Sequence, residues 1–151
     1  MSNRALIVNP WVIDFKLYDE WMHPVGLYFL ISLLDYNKWD IFYINCLQRK
    51  LKSKQKKYCT GNFRSKTITK PDIFKNIPRT YKKYGISKKT FQYHLQSVPR
   101  PDIIFVGSGM TYWIQGLEIT LNSINKTFPL TPIIVGGLTA TLIPHVLKDK
   151  F

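Results

Sequence analysis

Small and polar residues end or follow three apolar runs of this sequence, residues 5–9, 103–107 and 132–135. Glycine lets a ligand approach the backbone closely, and a side-chain hydroxyl or amide offers a hydrogen bond. These residue types predict a site for a bulky planar ligand, although glycines also serve plain strand-to-helix turns. The candidate binding residues are Asn9, Pro10, Ser108, Gly109, Met110, Thr111, Gly136, Gly137, Leu138 and Thr139.

The residue pattern gives little support for a disulfide framework, a dinucleotide-binding turn or a nucleophilic catalytic site. The two cysteines, Cys46 and Cys59, form no CxxC motif and no disulfide framework. Residues 106–111 begin like a dinucleotide-binding turn, but Tyr112 takes the position of the third glycine. No nucleophile can be paired with a base, so we assign no catalytic residue.

The elements that must position these residues alternate between strand and helix. Apolar runs predict four strands, and helical spacing of apolar residues is clearest over residues 112–128. This alternation favours an α/β fold with a doubly wound parallel sheet, Rossmann-like and in the flavodoxin-type order 2-1-3-4. Such sheets bind ligands beyond the carboxyl ends of their strands, here between the first and third.

The positive charge lies in one internal segment. Residues 46–100 hold sixteen of the 22 lysines and arginines and one acid, Asp72. We interpret this segment as a basic insertion after the second strand, with short helices and irregular loops packed by scattered apolar residues such as Ile73. It fits contact with nucleic acid or with an acidic protein surface, and a merely solvated face remains the plainer alternative.

The size of the chain fits one domain, residues 1–151. The sequence has no run of eighteen apolar residues and no signal peptide, so we expect no membrane partner and a cytoplasmic location.

Residues 5–10, 24–27, 101–107 and 132–137 resemble the N-terminal cobalamin (B12)-binding domain of B12-dependent radical SAM proteins. The similarity is strongest over residues 110–113 and 136–142, and residues 58–63 and 77–86 resemble one subgroup of that family. In the family these loops surround the corrin ring or its nucleotide tail. The resemblance therefore implies cobalamin as cofactor, held by the ten candidate residues.

The same resemblance singles out His23 as a candidate cobalt ligand. Many methylcobalamin proteins place an Asp-x-His-x-x-Gly motif after the first strand, whose aspartate orients the imidazole. Here His23 and Gly26 match, but Trp21 takes the aspartate position and the match lies well beyond the strand. A loop or helix-capping role for His23 is the alternative.

The sequence ends before two further features of that family: a strand with an acidic turn, and the catalytic barrel with its CxxxCxxC motif. We expect the iron–sulfur cluster and S-adenosylmethionine only in that missing domain, and no activity from this chain alone. A cut fragment, a truncated product and a stand-alone relative all fit.

Two hypotheses follow. The first is a cobalamin-binding module serving a radical SAM domain in cis or in trans. The alternative is a non-enzymatic Rossmann-like domain that binds RNA or a protein partner through residues 46–100. Loss of a fifth strand would also expose a sheet edge, which predicts a homodimer.

Overall fold

The computed structural model describes residues 2–19, 23–47 and 61–148. Its strands in chain order are β1 (Asn3–Asn9), β2 (Val12–Asp14), β3 (Tyr18–Asp19), β4 (Trp39–Asn45), β5 (Gly61–Asn62), β6 (Ser65–Thr67), β7 (Lys82–Tyr84), β8 (Ile103–Ser108) and β9 (Ile133–Gly137). The α-helices are α1 (Val25–Leu33), α2 (Lys88–Ser97), α3 (Ile114–Thr127), α4 (Leu138–Leu142) and α5 (Pro144–Lys148). Two 3₁₀ turns cover Asp72–Phe74 and Thr111–Trp113.

Four strands form a parallel sheet in the order β4-β1-β8-β9. β1 pairs in parallel with β4 on one side and with β8 on the other, and β8 pairs with β9. The side chains of residues 5–8 are wholly buried, as expected of a central strand covered on both faces. The predicted α/β class with a parallel sheet is confirmed.

One face of this sheet carries the main core. α2 and α3 pack there, with Phe91, Leu95 and Ile124 wholly buried against the inward side chains of the strands. The helical spacing predicted over residues 112–128 is confirmed by α3, whose apolar stripe is the buried one. Because α2 supplies wholly buried residues to this core, the last part of the basic segment belongs to the body of the fold.

The opposite face is covered more thinly. α1 lies there, and its buried residue Leu27 contacts Gly107 of β8. Several large apolar side chains of α1, β9 and α4 stay more than 45% exposed: Val25, Phe29, Leu33, Ile134, Leu138 and Leu142. This side of the molecule therefore presents apolar surface to solvent.

The described part of the basic segment folds against the first loop of the chain. β7 pairs antiparallel with both β2 and β6, and β5 pairs with β3. Phe63 and Tyr84 are buried in a small second core with Val12 and Leu17. Ile73 does not pack as expected: its side chain is 85% exposed on a 3₁₀ turn.

No helix in the described ranges combines the length and the apolar character that a membrane span requires.

Candidate functional site

A cavity of about 500 Å³ lies at the carboxyl ends of β1, β8 and β9, between the sheet and α1. Its walls are formed by the residues that follow β1, by the residues that follow β8, and by the last residues of β9. Leu27 and Leu30 of α1 and Leu47 after β4 close its sides. The volume falls within the range of cavities that hold small-molecule ligands.

The structure brings most of the predicted site residues to this cavity. Thr111 and Leu138 do not line it: Thr111 starts a 3₁₀ turn, and Leu138 is 46% exposed at the start of α4. The predicted residues in the cavity lining are Asn9, Pro10, Ser108, Gly109, Met110, Gly136, Gly137, Thr139 and His23. Residues from three separate strand ends therefore meet at one place.

The hydroxyl groups of the site hold its own loops together. Ser108 Oγ donates to the carbonyl of Gly136 over 2.8 Å and accepts the amide of Ala140. Thr139 Oγ1 donates over 2.8 Å to the carbonyl of Gly109. Both hydroxyl protons are thus used within the protein, and a ligand would meet these oxygens as acceptors.

The described lining of the cavity is neutral. Among the residues that the structure describes, no lysine, arginine, aspartate or glutamate lines it, and most of its wall is aliphatic, aromatic or glycine. A pyrophosphate would find no cation among these residues to compensate its charge. The cavity therefore suits a neutral, largely apolar group better than a dinucleotide phosphate.

The two neighbouring glycines at the end of β9 differ in whether the fold requires glycine at their positions. Gly137 has a positive φ of 102°, and a Cβ there would overlap the carbonyl oxygen of Ser108. Gly136 has no such constraint: a Cβ on it would meet nothing within 4 Å. Gly26 of α1 has the same open space and also lines the cavity. At Gly26 and Gly136, therefore, no contact with the described residues requires glycine.

Two tryptophans form part of the wall, and neither is among the predicted binding residues. Trp11 is buried, and its Nε1 donates to the carbonyl of Ile86 over 2.8 Å. Trp113 Nε1 donates over 2.8 Å to Asp14 Oδ2. With these polar atoms satisfied, each indole offers the cavity an apolar surface. Their positions directly beyond two strand ends were the available signal.

His23 is exposed and lies in the lining, immediately before α1. Its ring centroid is 6.2 Å from that of Tyr28, and its backbone carbonyl accepts the amide of Val25. No side chain caps the N-terminus of α1, so no hydrogen bond supports the helix-capping alternative for His23. Trp21, at the motif's aspartate position, lies outside the described residues. Over the ranges that the structure describes, no three histidine, cysteine or acidic side chains cluster as a metal site.

Cys46 follows β4 and is wholly buried in the main core. Burial raises the pKa of its thiol far above the usual range. Cys46 is therefore a core residue rather than an accessible nucleophile. Cys59 lies outside the described residues.

Comparison of the chain with protein-family models, with curated proteins and with solved structures finds no match in any of the three. The resemblance to cobalamin-binding domains therefore stays a prediction.

Proposed function

We propose that this protein is a cobalamin-binding module whose site is the cavity at the carboxyl edge of its parallel sheet. The observation that carries the proposal is that Gly136 and Gly26 line a cavity where three strand ends meet, although no contact with the described residues requires glycine at either position. Glycine at a place that needs neither a positive φ nor close packing is what a ligand pressed against the backbone requires.

The residues present fit a neutral, apolar part of such a cofactor. Gly136 and Gly26 would admit it against the backbone, and Trp11 and Trp113 would exclude water from it. When bound, cobalamin supplies a cobalt atom able to carry a methyl group or an electron, and the protein supplies orientation and shielding. His23 is the candidate cobalt ligand because it is the histidine in the lining.

In its finer features, the fold is proposed to be a doubly wound, flavodoxin-type domain, with a basic insertion in the part of residues 46–100 that precedes α2. The strand order β4-β1-β8-β9 supports it, since β1 then lies between its crossover partners. The protein is proposed to act in the cytoplasm beside a radical SAM domain, in cis or in trans. The exposed apolar residues of α1 and α4 support a partner at the apolar surface that these helices present to solvent.

The test is retention of cobalamin. The purified protein is incubated with hydroxocobalamin, desalted, and examined by visible spectroscopy. We expect a stoichiometric corrin band. A colourless protein that separates from the cobalamin on the column would overturn the proposal.

A matched pair of variants locates the site. Gly136→Val adds a branched side chain inside the cavity, and Gly61→Val adds the same atoms on β5, where a Cβ also meets nothing within 4 Å. We expect Gly136→Val to lose most of the retained corrin and Gly61→Val to keep it. Equal retention by both would place the cofactor elsewhere. Thermal melts check that both variants fold.

His23→Ala tests axial ligation separately. If the imidazole binds cobalt, the corrin bands of the variant shift from those of the parent protein. If the bands coincide, His23 only borders the cavity and the cobalt has no protein ligand from this residue.

A further inference from the structure

Lysines are placed side by side on the small antiparallel sheet. In the register of β6 and β7, Lys66 lies directly opposite Lys83. Like charges directly opposite each other on paired strands destabilise a sheet. Burial lowers the pKa of the Lys83 ammonium, and the neighbouring charges of Lys66 and Lys88 lower it further. The three ammonium groups therefore form one positive cluster.

The start of α2 adds to the same charge. Its first two residues are Lys88 and Lys89, and its first turn holds no acid. The N-terminal end of a helix already carries partial positive charge, so lysines are unfavourable there. As at the β6–β7 pair, the sequence places cations where the fold alone would favour neutral or acidic residues.

No carboxylate compensates this cluster within the part of the chain that the structure describes. Residues 61–100 hold ten lysines and arginines and the single acid Asp72. None of the ten forms an ion pair with a described residue, whereas Lys38, elsewhere on the molecule, pairs with Asp35 at 3.3 Å. A surface with repelling charges and no counter-charge of its own has the character of a polyanion-binding site.

The lysine at the centre of the cluster is held in place. Lys83 is half-buried, its Nζ lies 4.0 Å from the centroid of the Trp11 ring, and it donates to the carbonyl of Ile86. A cation over an aromatic face is stabilised by the ring, which offsets part of the repulsion. Lys83 therefore presents a positioned charge, unlike the mobile end of an ordinary surface lysine.

An exposed aromatic ring accompanies the charges. Tyr93 is 69% exposed and lies four residues after Lys89, on the same side of α2. Proteins that bind single-stranded nucleic acids combine these two features: their cationic side chains contact the phosphates, and their aromatic rings stack on unpaired bases. A single strand would use both features of this surface, since its phosphates contact the lysines and an unpaired base stacks on Tyr93.

We propose that the surface formed by Lys66, Lys83 and the exposed side of α2 from Lys88 to Tyr93 binds single-stranded nucleic acid. The inference goes beyond the cofactor role and does not depend on it. Because the proposed contacts are with phosphates and unpaired bases, we expect RNA and DNA strands to bind alike.

The test uses the whole protein and a fluorescently labelled twelve-nucleotide single strand of mixed sequence, with anisotropy measured from low to moderate salt. The variant Lys66→Ala/Lys88→Ala removes two charges of the surface. We expect its affinity to fall about tenfold or more, and the slope of log K against log salt to become shallower by roughly 1.4, at ~0.7 per lost phosphate contact.

The control removes two charges outside the proposed surface, one just before β4 and one in the last turn of α3. Lys38→Ala/Lys126→Ala changes the net charge equally, and both side chains are exposed. We expect it to bind nearly as the parent does. Tyr93→Ala is expected to lose about tenfold in affinity with little change in salt slope, because stacking contributes no counterion release.

Several results would overturn the proposal. These are the absence of binding at low salt, equal losses in the surface and control variants, and tighter binding of an oligoglutamate peptide of matched charge. The last result would assign the surface to an acidic protein. Retention of cobalamin is measured in the same variants, so failure here is distinguishable from failure of the cofactor proposal.

Discussion

Single residues at strand ends were the most predictable part of the site. The carboxyl ends of parallel strands meet at one edge of a sheet, so Asn9, Ser108 and Gly136 could be brought together from sequence alone. The use of the hydroxyls could not be predicted. Ser108 and Thr139 bond to backbone carbonyls of neighbouring loops, a pairing that depends on how the loops approach each other in three dimensions.

The buried thiol of Cys46 leads to a prediction at this scale. Its raised pKa and complete burial keep it protonated and inaccessible in the folded protein. In a Cys59→Ser variant we expect a thiol reagent at pH 8 to label Cys46 only after denaturant is added. Rapid labelling of the native variant, followed by mass spectrometry, would show that the core around Cys46 opens readily.

Among the elements, α3 approaches the chain after β1 unusually closely. The residue that permits this is Gly116, where a Cβ would overlap the carbonyl oxygen of Trp11. The contact is supported by Thr120, whose hydroxyl bonds to the carbonyl of Gly116 and also receives the amide of Trp11. The apolar spacing of α3 predicted the helix, but it gave no sign of this backbone contact.

A pair of glycine variants tests that contact. Gly116→Ala improves helix propensity yet forces two backbones apart, so we expect the free energy of unfolding to fall by about 1–3 kcal/mol. Gly26→Ala, in open space at the start of α1, should leave it unchanged or raise it by up to about 1 kcal/mol. Urea denaturation measures both. A stable Gly116→Ala protein would mean that α3 can shift without cost.

The shortest strands were not predicted from the sequence. β2, β6 and β7 are each three residues long, too short for an alternating pattern, and two of them lie among lysines. The pairing of β2 with β7 also depends on contacts between residues some seventy positions apart, such as Val12 with Tyr84. The long apolar strands could be found because burial on both faces leaves a continuous signal.

For the whole molecule, the α/β class follows from the alternation of apolar runs, whereas the uneven covering of the sheet does not. α1 is apolar almost all round, which predicts a helix without showing which side stays open. In the described residues, β9 pairs on one side only, with β8, and Ile134 on it is 50% exposed. An uncovered edge beside an apolar face favours association.

We therefore expect dimers at high protein concentration, measured by light scattering after gel filtration. Ile134→Lys places a charge on the edge strand and should shift the protein to monomer. Leu130→Lys, at an 81% exposed position before β9, is the control and should leave the dimer intact. A parent protein that stays monomeric at every concentration would contradict the prediction.

The central place of β1 also bears on how the protein is made. β1 leaves the ribosome well before its neighbour β8, which begins at Ile103, about a hundred residues later. At usual rates of synthesis that interval lasts roughly 5–20 s. During this interval β1, whose central residues are wholly buried in the folded protein, has at most β4 beside it. The nascent chain therefore carries an open, apolar strand edge that chaperones would need to shield.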